Sequence, residues 1–223
     1  MTMKDYKLII FDLDGTLMDT SEGIISAVKY TIDHFGLHEL TGEALATFIG
    51  PPIQDSFSKS YGLDGPILQE IATVFRERYK SVDLLSAKPY PGIFDTLTKL
   101  KKAGKALAVA TYKREDYAID LLRYYGFERY FSIIHGGDHE NKLKKEDIIR
   151  LCITETSGAN KNNCLLVGDT VNDSLGAEMT GIDFLGACYG FGFRSREEVM
   201  LHGSVGAAES PEELVRFCLR VEG

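Results

Sequence analysis

The 223-residue chain has no tryptophan, four cysteines and six prolines, and its lysines and arginines (25) are outnumbered by its acids (33). No stretch approaches the ~18 consecutive apolar residues of a membrane-spanning helix, which excludes a transmembrane protein. Cys152, Cys164, Cys188 and Cys218 are widely spaced in apolar segments, without a C-x-x-C pair. That excludes a disulfide framework and predicts four reduced, mostly buried thiols. The five histidines show no ligand spacing: His34 and His38 are four apart, but Gly36 between them is expected to end the helix. The formal charge of −8 repels phosphate backbones and anionic lipid, so neither a nucleic-acid polymer nor a membrane is an expected partner. The segment MTMKDYKLIIFDLDGTL carries no signal-peptide core or cleavage site, which makes a cytoplasmic location the expectation. Internal repeats and low-complexity tracts are absent.

What is there is an ordinary globular composition, 44% hydrophobic and 26% charged, which excludes collagen, coiled coil and disorder. At about 100–200 residues per domain, the length suits one large domain or a domain carrying an insert. Short β-branched or aliphatic runs at 7–11, 105–110, 131–135, 164–167 and 184–188 each stop at a polar or glycine-rich turn. Helical periodicity fills most of the gaps. In 21–35, Ile24, Ile25, Val28, Ile32 and Phe35 fall on one face behind Thr20/Ser21 and ahead of Gly36. Alternating strands and helices with near-continuous apolar strands predict an α/β fold, a doubly wound parallel sheet covered on both faces. About ninety residues separate the first two strands, far more than one crossover needs. Most of them read as helix, which predicts an all-helical insert over 18–86 in an α/β core made of 1–17 and 87–223.

The chemically pointed residues follow the strands. Phe11–Asp12–Leu13–Asp14–Gly15–Thr16 ends the first run. Asp12 and Asp14 are two apart, so in extended chain both carboxylates face one side, and Gly15 permits a sharp turn with close ligand approach. Two carboxylates in a small space require a shared proton or a cation. An EF-hand loop also begins D-x-D, but its sixth and twelfth positions would be Leu17 and Gly23 here. A plain Asx turn remains the structural alternative. A second acidic end, Gly168–Asp169–Thr170–Val171–Asn172–Asp173, follows the run 164–167. Asp173 there is either a helix N-cap or part of a hard-cation site with Asp169. Thr111, followed by Tyr112 and Lys113, offers a hydroxyl and amides at a strand-to-helix turn, suited to phosphate oxygens or to capping. Lys142, Lys144 and Lys145 precede another helix, as a solvated charge run or as the cation that acids plus a phosphate require.

These pieces, in this order, resemble the haloacid dehalogenase-like (HAD) superfamily over essentially the whole chain. D-x-D-G-T is similar to its first motif, Thr111 to its second, a lysine before a helix to its third and G-D-x-x-x-D to its fourth. The helical insert lies where the family's C1-type cap goes. The stretches FIGPPIQDSF (48–57), KEDIIR (145–150) and YGFGFR (189–194) resemble the phosphoglycolate-phosphatase-like branch, which holds phosphoglycolate phosphatases, pyrophosphatases and 5′-nucleotidases. The resemblance implies a Mg²⁺-dependent phosphatase acting on a small phosphorylated metabolite. Asp12 would be the nucleophile that forms an aspartyl-phosphate, and Asp14 the acid and base. Mg²⁺ would be held by Asp12, the Asp14 carbonyl, Asp169 and Asp173. Thr111 and Lys145 would hold phosphoryl oxygens, with Lys144 and Lys142 as alternatives to Lys145. The substrate-binding candidates are Gly15, Thr16, Tyr112 (a position commonly small in the family), Lys113 and the rigid Gly50–Pro51 turn. Gln54, Ser56, Arg76 and Arg78 are polar candidates nearby. The presence of Asp14 sets aside dehalogenases, and Thr16 weighs against the β-phosphoglucomutase type. A phosphomutase, an inorganic pyrophosphatase and a non-catalytic phosphate-binding module remain alternatives. The 12 Phe and 11 Tyr leave monomer or homodimer open.

Overall fold

The computed structural model describes residues 4–139 and 142–219, so the first three residues of the N-terminal segment fall outside it. The described chain divides into two compact units. One holds the residues up to Met18 and those from Pro89 onward; the other is Asp19–Lys88.

The first unit is built on six parallel strands: β1 Leu8–Phe11, β2 Ala106–Arg114, β3 Ile133–Gly137, β4 Cys164–Gly168, β5 Asp183–Ala187 and β6 Gly206–Ala208. Their order across the sheet is β3-β2-β1-β4-β5-β6. All four β1 side chains are fully buried, which explains the unbroken apolar run LIIF in a strand covered on both faces. Leu8 and Ile10 join a core cluster with Ile148, Ile149, Leu166 and Phe184. Phe11, of opposite parity, meets Phe131 edge-on with ring centroids 6.0 Å apart. Each such buried side chain contributes about 1.5–3 kcal/mol.

Register decides where the chemistry goes. Phe11 stands level with Val109 of β2 and with Val167 of β4. Asp12, Thr111 and Asp169 therefore all emerge one or two residues later, at the same carboxyl edge. Strand order reverses between β1 and β4, the crevice in which open α/β sheets bind ligands.

The second unit is helical: α1 Ser21–His34, α2 Gly42–Ala46, α3 Ile53–Tyr61 and α4 Pro66–Arg78, which runs into a π-helical turn, Tyr79–Asp83. Gly62 closes α3 in the left-handed region (φ +66°), and Pro66 opens α4 at its first position. Phe48, Phe57, Ile71 and Phe75 fill its interior. The π-turn brings Arg78 onto Asp83, Nε to Oδ2 at 2.8 Å, with the guanidinium 5.0 Å from the Tyr30 ring centroid. Arg78 is thus held by partners in its own unit. Arg76 donates to Gln54 across α4 and α3 at 3.4 Å.

The remaining helices, α5 Ile93–Lys102, α6 Glu115–Tyr124, α7 Lys145–Glu155, α8 Val171–Thr180, α9 Arg196–Met200 and α10 Pro211–Leu219, belong to the α/β unit. Several details depart from the sequence expectations. β2 does not stop at Ala110 but continues to Arg114, with a register irregularity between those residues against β3, as at a β-bulge. The strand β6 and the helices α9 and α10 lack a sequence counterpart: Gly206–Ala208 is too short and too small-residued to show periodicity. Three of the four cysteines are buried and Cys188 is half-buried; all four are free thiols. Among the described residues, no helix is long and apolar enough to cross a membrane.

Candidate active site

Four carboxylates and two ammonium groups converge at the carboxyl edge beside β1 and β4. Asp12 leaves β1 and is anchored by its own N–H, which donates to the Val167 carbonyl at 2.9 Å. Lys145, the first residue of α7, places Nζ 2.7 Å from Asp12 Oδ1 and 2.7 Å from Asp173 Oδ1. Its side chain is 3% exposed, whereas Lys142 and Lys144 are exposed. Carboxylate oxygens of Asp12, Asp169 and Asp173 lie within 4.8 Å of one another, and all three residues are buried. One hard cation at their centre is within reach of all three.

The two acids of D-x-D-G-T have different partners. Asp14 falls outside that triad and pairs with Lys113, Nζ to Oδ1 at 3.0 Å, with both side chains almost wholly buried. Lys113 sits there because the continuation of β2 past Ala110 carries it to the same edge. Thr111, 1% exposed, accepts from the Lys113 backbone N–H at 3.1 Å. Thr16 is fully buried and donates to Asp169 Oδ1 at 3.4 Å. Gly15 turns at φ +82°, and a Cβ there would overlap the Asp169 carboxylate. Tyr112 does not reach for open space: its hydroxyl accepts the Lys145 N–H at 3.0 Å. Gly50 and Pro51 belong to the helical unit, in the turn ahead of α3.

Asp173 is not the N-cap of α8. The helix starts at Val171 with Thr170 as cap, and Asp173 Oδ2 accepts from the Thr170 N–H and hydroxyl, at 3.0 and 2.7 Å. Those bonds fix one oxygen and leave Oδ1 to Lys145. Asp169 is oriented by a loop to which sequence reasoning assigned no role. The backbone N–H groups of Phe191 and Gly192 donate to its Oδ2 at 2.8 and 3.2 Å, while Tyr189 donates its hydroxyl to the Thr16 carbonyl at 3.0 Å. Side chains at Gly190 or Gly192 would collide with Asp169. The usable signal was the Gly-Phe-Gly spacing in YGFGF, since only glycine admits so close an approach.

The electrostatics follow from this packing. Burial pushes the Asp12 carboxyl up to about 7; Lys145 opposes the rise, and Asp173 and Asp14 add to it. Asp169 is raised well above the carboxylate range by burial, then by Asp173 and Asp12, against the pull of the Phe191 and Gly192 amides. Burial alone would lower the Lys145 ammonium, but Asp12 and Asp173 more than offset it and hold Lys145 above its ordinary value. Counting all four acids against Lys145 and Lys113, the cluster carries two formal negative charges in excess, which a divalent cation would balance.

A profile of the haloacid dehalogenase-like hydrolase family matches residues 9–187 of this chain. The chain is 35% identical over 198 residues to a 5′-nucleotidase of Pseudomonas aeruginosa, covering 88% of each protein. It is 33% identical over 189 residues to a phosphoglycolate phosphatase of Agrobacterium fabrum, covering 82% of this chain and 81% of that one. Among solved structures, the crystal structure of a predicted phosphatase from Clostridium acetobutylicum matches with a TM-score of 0.90 at 32% identity, over 97% of this chain and 99% of that one.

Proposed function

The chain belongs to the haloacid dehalogenase-like hydrolase family, and from that membership we propose that it is a Mg²⁺-dependent phosphatase of small phosphomonoesters. The observation that carries the proposal is Lys145 bridging Asp12 and Asp173 beside Asp169, at the sheet's switch point. The names of its relatives, a 5′-nucleotidase and a phosphoglycolate phosphatase, support the same class of substrate.

Asp12 acts as the nucleophile: one carboxylate oxygen bonds to phosphorus as the bond to the ester oxygen breaks. Lys145 holds Asp12 in place and, with the Thr111 hydroxyl, supports the charge on the phosphoryl oxygens. Asp14 enters the first step protonated, gives that proton to the departing alkoxide and becomes the carboxylate, then regains a proton from the water that attacks phosphorus and frees Asp12 as inorganic phosphate forms. Lys113, on the Asp14 carboxylate, sets the position from which that group moves. The carboxylate oxygens of Asp12, Asp169 and Asp173 fit Mg²⁺, with the Asp14 carbonyl as the further donor that the family resemblance implies, and Mg²⁺ when bound would neutralise phosphoryl charge. Gly15 and Thr16 keep backbone close to the incoming phosphate. The helical unit enters the chain directly after this motif, which supports a role as the cap that selects the leaving group, with Gly50 and Pro51 as its candidate substrate-binding residues. Location in the cytoplasm and a monomeric or dimeric state belong to the same proposal.

Incubation with Mg²⁺ and a panel of phosphoglycolate, nucleoside 5′-monophosphates, pyrophosphate and a hexose 1-phosphate tests the reading. The expected result is inorganic phosphate from at least one monoester, lost on chelation and in Asp12→Asn. Conversion of the hexose 1-phosphate to its isomer without phosphate release would show a mutase instead. Binding of phosphate without turnover of any ester would leave a non-catalytic module.

A further inference from the structure

We propose that Tyr112 is a positioning residue for Lys145, acting through the first turn of α7 rather than on substrate. What Lys145 does once positioned rests on the phosphatase reading above.

A helix begins with backbone N–H groups that have no partner within it. Ser, Thr, Asp or Asn at the N-cap ordinarily accepts one of them. The N-cap of α7 is Lys144, whose ammonium has no acceptor to offer. The vacancy is met from two directions. Asp147 reaches back to the Lys144 N–H at 3.1 Å. The Lys145 N–H goes to the Tyr112 hydroxyl at 3.0 Å, from 33 residues earlier in the chain.

The donor in that bond is the backbone of the residue whose ammonium bridges Asp12 and Asp173. A lysine carries its charge on a flexible four-carbon stem, so the place of its Cα and the confinement of its stem decide where Nζ rests. Both are constrained here. Tyr112 packs half-buried against the core cluster that includes Ile148 and Ile149 of the same helix, so its hydroxyl is a fixed post. Its ring centroid lies 5.7 Å from Lys145 Nζ, within cation–π reach. The lysine stem also passes Gly176 of α8 so closely that a Cβ there would stand 2.7 Å from Lys145 Cγ. Lys145 is thus fixed at its amide by Tyr112, at its stem by Gly176 and at its ammonium by two carboxylates. A small residue at 112 could not span from β2 to the start of α7.

Tyr112→Phe keeps the ring and its packing and removes only the hydroxyl. With Mg²⁺ and several phosphate esters, kcat is expected to fall about threefold to tenfold, the scale of one hydrogen bond. The factor should be the same for every ester, because Lys145 meets the phosphoryl group they share, and KM should stay within about twofold. Hydrogen exchange at the Lys145 amide should accelerate while the melting temperature falls by no more than about a few degrees. An unchanged kcat would overturn the proposal, as would a rise in KM that varies with the leaving group, the mark of a direct substrate contact. Should the wild-type chain hydrolyse no ester, the phosphatase reading itself fails. The exchange measurement then decides alone: selective loss of protection at Lys145 supports the positioning role, and unchanged protection overturns it.

Discussion

Two buried acidic sites in this chain are built on opposite terms. In the helical unit, Asp83 (5% exposed) pairs with Arg78 at 2.8 Å. In the α/β unit, Asp12, Asp169 and Asp173 crowd within 4.8 Å of one another around the single ammonium of Lys145. The first is a balanced ion pair that holds a π-turn at the end of α4. The second is unbalanced by design of the fold: parallel register brings three strand ends to one edge, and each end carries an acid or its partner. The pair is charge-balanced, while the cluster holds a surplus of buried like charge, which on the proposed reading a divalent cation would offset.

Substituting one acid at each site breaks the comparison most strongly. Asp12→Asn is expected to lower phosphate release by about 10³-fold or more, while its melting temperature in chelator stays level or rises, since repulsion in the cluster falls and Lys145 keeps Asp173. Asp83→Asn should do the reverse, costing about 1–3 kcal/mol of stability, because Arg78 is partly solvated, with kcat per folded molecule unchanged. Paired activity and thermal-unfolding measurements check both. Next in size is the response to metal. Mg²⁺ at about 100 times its Kd should add about 2.7 kcal/mol to wild-type stability; Asp169→Asn should lose most of that increment and Asp83→Asn none of it.

Gly176→Ala sharpens the comparison on a finer scale. Alanine favours the helix by about 1 kcal/mol, yet its Cβ would crowd the Lys145 stem. The expected outcome is roughly tenfold lower kcat with stability changed by no more than about 1–2 kcal/mol, read by kinetics and denaturant titration. The smallest effect lies outside both sites. Burial pushes the Cys152 and Cys218 thiols up to about 12 and Cys164 to about 11. Between pH 7 and 9 these three should resist a thiol reagent in the native protein, whereas half-buried Cys188 reacts faster as pH rises. Denaturant should expose all four.

The parallel sheet and the acids that follow its strands were legible because strand runs such as LIIF and CLLV are buried on both faces and stop at polar turns. The helical insert was legible from the roughly ninety mostly helix-like residues between the first two strands. What stayed hidden depends on contacts distant in sequence. Whether Asp14 shares a partner with Asp12 is decided by where β2 ends, and the run 106–110 gives no sign that pairing continues to Arg114. Tyr112 looked like a substrate contact because nothing local shows that Lys144 leaves a helix end for it to cap. The grip of Phe191 and Gly192 on Asp169 depends on backbone N–H groups, which leave a trace in sequence only as the glycines that make room. Strand β6 is three small residues and has no pattern to read.

The claim that the acidic cluster is catalytic, and that Asp12 carries the phosphoryl group, is met most directly by acid-quenching the Mg²⁺-loaded protein during turnover of a phosphate ester and mapping covalent phosphate by peptide mass spectrometry. The account predicts phosphate on the peptide containing Asp12, present in wild type and absent in Asp12→Asn. Phosphate on another residue, or turnover that persists in Asp12→Asn, would contradict it.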